Sequence, residues 1–533
     1  MHSNRADFTE QIPTLRAALR CIDRPLLLTI QDGVVSARTG ETATICPTSA
    51  ETGSVPVIAL ATPVLPENLG DLDFCAELGI RYPFVGGSMA KGISSAQIAE
   101  ELGNAGMLGF FGAAGLPFHE VEAAVDRLNG SLGNKTFGFN LIHSPHEPDL
   151  EEELVALYIR KGIRLIEASA FLALNLNLVR YRLHGICRLP DGTIHMPNRI
   201  IAKVSREELA ARFFSPPPEK FLKELVSRGE ITEEQAALAT KIPMAKYITA
   251  EADSGGHTDN RPAIVLFPTI KSLAERLENE FAYDCRLMVG LGGGISTPAS
   301  AAAAFAMGAA YIMTGSVNQA CIESGTSDLV REMLTETRQA DVTMAPAADM
   351  FEMGVTVQVL KRGTMFPMRA AKLYELYRKH ASLEEIPPLE LEKLEKTLFL
   401  APLADIWEDT RTFFLKRDPK QVERAERDPK HRMALVFRWY LGQAAHWAKD
   451  GNPARKMDYQ VWAGPAMGAF NEWATDSFLA QAEQRKVVTV ARNILYGAAV
   501  LARAAMLRSQ GIRLPAEAVK ISPLQDAALK EYF

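Results

Sequence analysis

The sequence lacks the common signatures of covalent and nucleotide-triphosphate chemistry. It has no nucleophile elbow, no Walker motif and no GxGxxG fingerprint between a strand and a helix. Cysteine is scarce, six in 533 residues, and no pair has CxxC or metal-ligand spacing. That excludes a disulfide scaffold or zinc module and predicts reduced thiols, with no metal. Charge of one sign is also missing: the formal net charge is −6, which gives no electrostatic reason to expect a nucleic-acid partner. The start, Met1 to Asp7, has no apolar h-region. The longest small-apolar stretch, Ala299 to Met313, is broken by Gly308 and predicts a packed helix followed by a strand, not a membrane span. The expectation is a cytoplasmic chain with no membrane partner.

What is present is an ordinary globular composition, 47% hydrophobic and 23% charged, with a change of rhythm near residue 80. Residues 1–75 predict a small β-rich unit, with a hairpin formed by Pro25–Ile30 and Gly33–Ala37 around Gln31-Asp32. Eight strands then alternate with helices: Ile80–Val85, Met107–Phe111, Thr136–Ile142, Ile163–Ala168, Arg199–Val204, Tyr247–Ala252, Arg286–Val289 and Ala310–Thr314. Most are near-continuous apolar runs, as strands covered on both faces require. The fold class is therefore α/β, a (β/α)8 TIM barrel over 76–365, with a doubly wound sheet as the alternative. Cys187 to Asn198 predicts a hairpin. A helical insertion over about 205–242 is either a cap near the rim or a surface addition. The region 366–533 reads as helical, its tryptophans as helix packing, and the charged run Asp418 to Arg432 as a solvated face.

The chemistry is expected where predicted strands run into glycine. Gly292-Gly293-Gly294-Ile295-Ser296-Thr297-Pro298 follows the seventh strand and opens a helix, and Thr314-Gly315-Ser316 follows the eighth. Backbone N–H groups of Gly293, Gly294 and Gly315, with the Ser316 hydroxyl, form a predicted anion cradle at the loops where this fold holds phosphate. The first strand ends Gly86-Gly87-Ser88-Met89-Ala90, where Gly87 and Met89 would let a flat ring lie against the chain. Asn140 and Lys203 end the third and fifth strands. Lys203 is either a cation beside an anionic ring, such as a reduced flavin, or a salt-bridge partner of Glu167 or Glu251. Ser254-Gly255-Gly256-His257 follows the sixth strand. His257 reads as a general acid or base, or as a hydrogen-bond donor to a cofactor or carbonyl; His143 and His146 are weaker candidates. No cysteine is poised at this rim, which leaves the chemistry to a cofactor.

The set Gly86–Met89, Gly138-Phe139-Asn140, Ser254–His257, Gly293–Ile295 and Thr314–Ser316 resembles the 2-nitropropane dioxygenase-like flavoproteins. The stretches Val357–Phe366, Phe437–Gly442 and Trp462–Asn471 are similar to the PfaD-type trans-acting enoyl reductases of polyunsaturated fatty acid and trans-acyltransferase polyketide synthases. The resemblance implies an FMN-binding barrel, NADPH as hydride donor, an enoyl thioester substrate on acyl carrier protein domains, and a homodimer. It implies His257 as the catalytic residue, Gly293, Gly294, Gly315 and Ser316 at the FMN phosphate, Gly87, Met89, Asn140 and Lys203 around the ring, and Gly256 as a further cofactor-binding residue. The other expectations are a nitronate monooxygenase and a non-catalytic scaffold that docks carrier domains.

Overall fold

The apolar runs become staves because each is buried on both faces. A computed structural model describes residues 12–31, 34–40, 55–144 and 148–533. Cys46, His146 and the predicted turn at Asp32 lie outside the described residues. An antiparallel sheet of β1 (Leu26–Gln31), β2 (Val34–Thr39) and β3 (Val57–Ala61) leads, in the order β2-β1-β3. The barrel follows with β4 (Phe84–Gly86), β5 (Leu108–Phe111), β6 (Gly138–Ile142) and β7 (Leu165–Ser169). A hairpin of β8 (Cys187–Arg188) and β9 (Ile194–His195) precedes β10 (Arg199–Val204) and β11 (Tyr247–Glu251). The two-residue β12 (Gly256–His257) leaves the barrel, and β13 (Met288–Gly292) and β14 (Ile312–Thr314) complete it. These eight parallel strands close in the ring order β10-β11-β13-β14-β4-β5-β6-β7, the expected TIM barrel.

The seventh stave runs further than its apolar residues indicate. Gly290 and Gly292 pair in register with Thr249 and Glu251, so the glycines are part of the strand. The first stave is shorter, because residues 80–83 precede the ladder.

The barrel has one sealed end. Helix Leu72–Leu78 starts at Asp71, whose carboxylate accepts the N–H groups of Asp73 and Phe74, and stops at Gly79 in the left-handed region (φ 63°). It drives Phe74 between Tyr311, stacked at 4.2 Å, and Tyr247, edge-on at 5.5 Å. Around these rings Val85, Leu108, Phe110, Leu165, Ile201 and Met288 fill the interior. The open end is the one to which the strand C-termini point.

Two more strands lie beyond the barrel, β15 (Val342–Pro346) and β16 (Thr356–Leu360), and β12 joins them as a third: Gly256 pairs with Gln358 and His257 with Val357. Helices from Phe366 to Asp450 pack on this sheet around a separate core that includes Phe351, Phe366, Phe399, Trp407, Phe437 and Tyr440. The last long helix, Val487–Ser509, returns to the barrel. Val490, Ile494 and Ala498 belong to the barrel core, whereas Tyr496, Val500 and Leu507 face the N-terminal sheet. This helix is long and apolar enough to cross a membrane, but 78% of its apolar window is buried in protein, as in a core helix.

Helices within 205–242 do not reach the open end; among the described residues none of that segment lines the cavity there. In the predicted charged run, Lys430 is half-buried and its ammonium donates to the carbonyl oxygens of Tyr377 and His380.

Candidate active site

One cavity of about 1810 Å³ occupies the open end of the barrel, and all ten residues singled out by sequence line it. Gly293 (φ +80°) and Gly294 (φ +74°) take the left-handed turn after β13. A side chain at Gly293 would place its Cβ 2.6 Å from the Ala252 carbonyl, so only glycine fits there. The following helix, Pro298–Ala306, is already capped: the Thr297 side chain accepts from Ser300 N–H, and the Ser300 hydroxyl accepts from Ser296 and Thr297 N–H. By contrast, the N–H groups of Gly294, Gly315 and Ser316 have no acceptor among the described residues. The Ser316 hydroxyl accepts from Gly464 N–H at 3.1 Å and keeps its own proton free to donate. Three undirected N–H groups on two adjacent loops form an anion cradle.

The floor is charged but nearly compensated. Glu167, wholly buried in β7, accepts from the N–H (2.9 Å) and hydroxyl of Ser88, while its second oxygen has no partner among the described residues. Burial raises its pKa, against the pull of Lys203 and the Ser88 hydrogen bonds. Lys203 Nζ lies 3.2 Å from Glu251, the salt bridge that sequence left as one of two readings. Burial opposes the Lys203 charge, but Glu251 and Glu167 outweigh it and raise the pKa. Asn140 is buried beside them, donating to the Glu167 carbonyl (3.2 Å) and the Ser169 hydroxyl (2.9 Å). Gly87 and Met89 form the wall after β4, where a Cβ on Gly87 would meet Met313 at 2.9 Å.

His257 stands at the junction of the barrel with the C-terminal sheet. Gln358 of β16 donates to Asp253 and to the Ser254 carbonyl, each at 2.8 Å, and so clips the loop that carries the histidine. The His257 Nε2 lies 3.2 Å from Asp349 Oδ1. Burial works against the charged imidazole, but the Asp349 carboxylate, assisted by Glu251, more than compensates, and the pKa rises above its ordinary value. Asp349 is correspondingly lowered, with burial the opposing influence. The ring's Nδ1 is left without a partner among the described residues.

The roof comes from the C-terminal helices and was not foreseen. Phe413, Leu435 and Trp439 are its apolar part, and Lys91, Lys416, Arg417 and Lys420 are cations of the same lining. Lys91 donates to the Gly442 carbonyl at 3.1 Å, and burial with the charges of Lys449 and Arg417 lowers its pKa to about 8. Sequence also missed Asp349 and Glu151; His143, a weaker candidate, is on the same wall. Among the described residues no cluster could hold a metal ion.

Residues 380–459 match the inserted helical domain of [acyl-carrier-protein] S-malonyltransferase. The chain is 39% identical to the enoyl reductase domain of MlnA from the macrolactin cluster of Bacillus amyloliquefaciens, with a TM-score of 0.78, over 83% of this chain and 99% of that one. It is 50% identical to one component of the polyunsaturated fatty acid synthase of a Thraustochytrium species over 84% of this chain and 31% of that protein. It is 42% identical to polyketide biosynthesis protein PksE of Bacillus subtilis over 82% of this chain and 56% of that protein. The chain thus spans about a third to a half of the length of these two curated relatives. Near-complete coverage of the MlnA domain, together with the glycine loops and the histidine in one barrel mouth, shows that the chain belongs to the PfaD-type enoyl reductase family.

Proposed function

We propose that the chain is an FMN-dependent enoyl reductase that acts in trans on enoyl thioesters of acyl carrier protein domains, with NADPH as hydride source, in polyunsaturated fatty acid or polyketide biosynthesis. The observation that carries the reading is one cavity that combines an unpaired N–H cradle with a histidine–carboxylate pair. Its 1810 Å³ exceeds the 300–1,000 Å³ or so of an ordinary ligand pocket and leaves room for a cofactor and a substrate together.

The residues fit FMN. Gly293, Gly294, Gly315 and Ser316 would take the phosphate; Gly87, Met89, Asn140, Lys203 and Gly256 would border the ring. Bound there, FMN in its reduced form would supply the hydride chemistry for the enoyl group. Lys203, paired with Glu251, offsets the carboxylates of the cavity floor, so that negative charge on the ring is not opposed there. His257 gives a charged hydrogen bond to the thioester oxygen or a proton to the α-carbon. Phe413, Leu435 and Trp439 offer an apolar wall to the acyl chain, and the cations Lys416, Arg417 and Lys420 suit the phosphate of a pantetheine arm. The match of 380–459 to a domain from an enzyme named for the acyl carrier protein supports the same class of partner.

Two assays test the reading on purified protein supplied with FMN. Crotonyl thioester with NADPH should be turned over, and a nitronate with oxygen should not; the reverse outcome selects the nitronate monooxygenase, and NADPH that leaves the flavin unbleached selects a scaffold.

A further inference from the structure

A second histidine–carboxylate pair lies on the cavity wall, across the barrel from the first. His143 follows β6 and His257 follows β11, with β7 and β10 between them in the ring. Glu151, in helix Pro148–Arg160, is 3% exposed, and its Oε2 lies 3.2 Å from His143 Nδ1. The same carboxylate accepts from Ser144 N–H at 3.3 Å and from the Asn175 amide at 2.5 Å. Asn175 in turn caps the next helix through Leu178 N–H at 3.0 Å. Phe171 stacks on the imidazole at 5.0 Å, and the His143 backbone N–H donates to the Ser169 carbonyl at 3.1 Å.

These contacts fix the ring's position and favour one tautomer. Glu151 Oε2, at 3.2 Å, is the nearer partner of Nδ1 and accepts its hydrogen; the Asn175 amide nitrogen lies 3.4 Å from Nδ1 but donates to Glu151 Oε1 at 2.5 Å, and Nε2 has no partner among the described residues while the ring lines the cavity. A carboxylate is costly to bury, and one that orients a histidine toward a cavity is the arrangement by which acid–base residues are held. A wall histidine that served packing alone would need neither the buried Glu151 nor a free Nε2.

We propose that His143, positioned by Glu151, delivers the proton to the α-carbon of the enoyl thioester, while His257 holds the thioester oxygen. This rests on the enoyl reductase reading. The reduced flavin named there is the hydride donor. Nε2 first takes a proton from water; as a hydride adds at the β-carbon, the electron pair of the C=C bond moves to the α-carbon and takes that proton. A C–H bond forms, the N–H bond breaks, and neutral imidazole remains with Nδ1–H on Glu151, to be reprotonated from water. The division of labour follows from the surroundings. The charge on His257 is sustained by two carboxylates, Asp349 and Glu251, so it is a persistent hydrogen-bond donor and a reluctant proton donor.

The test uses the full chain carrying FMN, with the two half-reactions followed separately by flavin absorbance. His143→Gln should be bleached by NADPH at the wild-type rate and be reoxidised by crotonyl thioester about 100-fold more slowly or worse. His257→Gln should mainly raise the KM for the thioester. Reoxidation of His143→Gln at the wild-type rate overturns the proposal. A second readout needs no cofactor: 15N NMR of the flavin-free wild type should show the Nδ1–H tautomer at His143, lost in Glu151→Ala. An Nε2–H tautomer in the wild type overturns the proposal even if His143→Gln fails to fold. Wild-type protein that NADPH bleaches but no enoyl thioester reoxidises refutes the parent reading instead.

Discussion

The Nε2 of His257 lies 3.2 Å from Oδ1 of Asp349, and the two side chains come from opposite sides of a seam. His257 extends from the sixth barrel strand; Asp349 lies between the two strands that follow the barrel. The catalytic candidate is thus completed by the C-terminal unit and not by the barrel alone.

Breaking that pair should change stability in a defined pH window. His257 is raised above its ordinary 6.5, so its contribution is full below 6.5 and disappears as pH climbs through the raised value. Asp349 is lowered below its ordinary 3.8, so its contribution is full above 3.8 and disappears as pH falls through the lowered value. The Tm deficit of Asp349→Asn should be greatest between about pH 4 and 6.5 and shrink on either side. Both side chains are partly exposed, 34% for His257 and 49% for Asp349, so the deficit should also diminish with salt. Thermal melts across pH check it.

The two cradle glycines should respond differently to alanine. A Cβ on Gly294 meets nothing within 4 Å, so Gly294→Ala should cost about 1 kcal/mol for its left-handed backbone, remain folded and weaken flavin retention. Gly293→Ala drives a Cβ into the Ala252 carbonyl and should lower Tm markedly as well. Melting curves and the bound-flavin ratio separate the two effects.

Removing the floor cation should expose the cost of its carboxylates. Lys203→Met leaves Glu251 and Glu167 without their ammonium and should destabilise by about 3 kcal/mol. The loss should lessen at low pH, where Glu167, already raised by burial, takes a proton. Urea titrations at neutral and acidic pH measure it.

The roof should discriminate acyl length. Trp439→Ala removes a large apolar face from the lining and should raise the KM for long enoyl thioesters about tenfold, with crotonyl thioester little changed. Steady-state assays over a chain-length series decide it.

The staves were legible because strands buried on both faces leave an unbroken apolar run, and the site residues because they sit where those runs meet glycine. Contacts made by tertiary packing were not. Asp349 lies 92 residues from His257, with nothing local to mark it as a partner. Glu151 stands in the run Glu151-Glu152-Glu153, of which only the first is buried, a difference that composition hides. The pairing of Gly256-His257 with β16 involves a strand of two residues, too short for periodicity to reveal. The alternation in Thr356–Leu360 was the available signal for its partner strand.

The central claim is that the barrel mouth binds FMN and passes hydride from NADPH to a carrier-bound enoyl group. Anaerobic titration of the FMN-supplied protein, read at the flavin absorbance band, tests it most directly. Stoichiometric bound flavin, bleached by NADPH and recoloured by an enoyl acyl carrier protein, is the predicted result. A protein that retains no flavin, or whose bleached flavin the enoyl thioester leaves colourless, contradicts it.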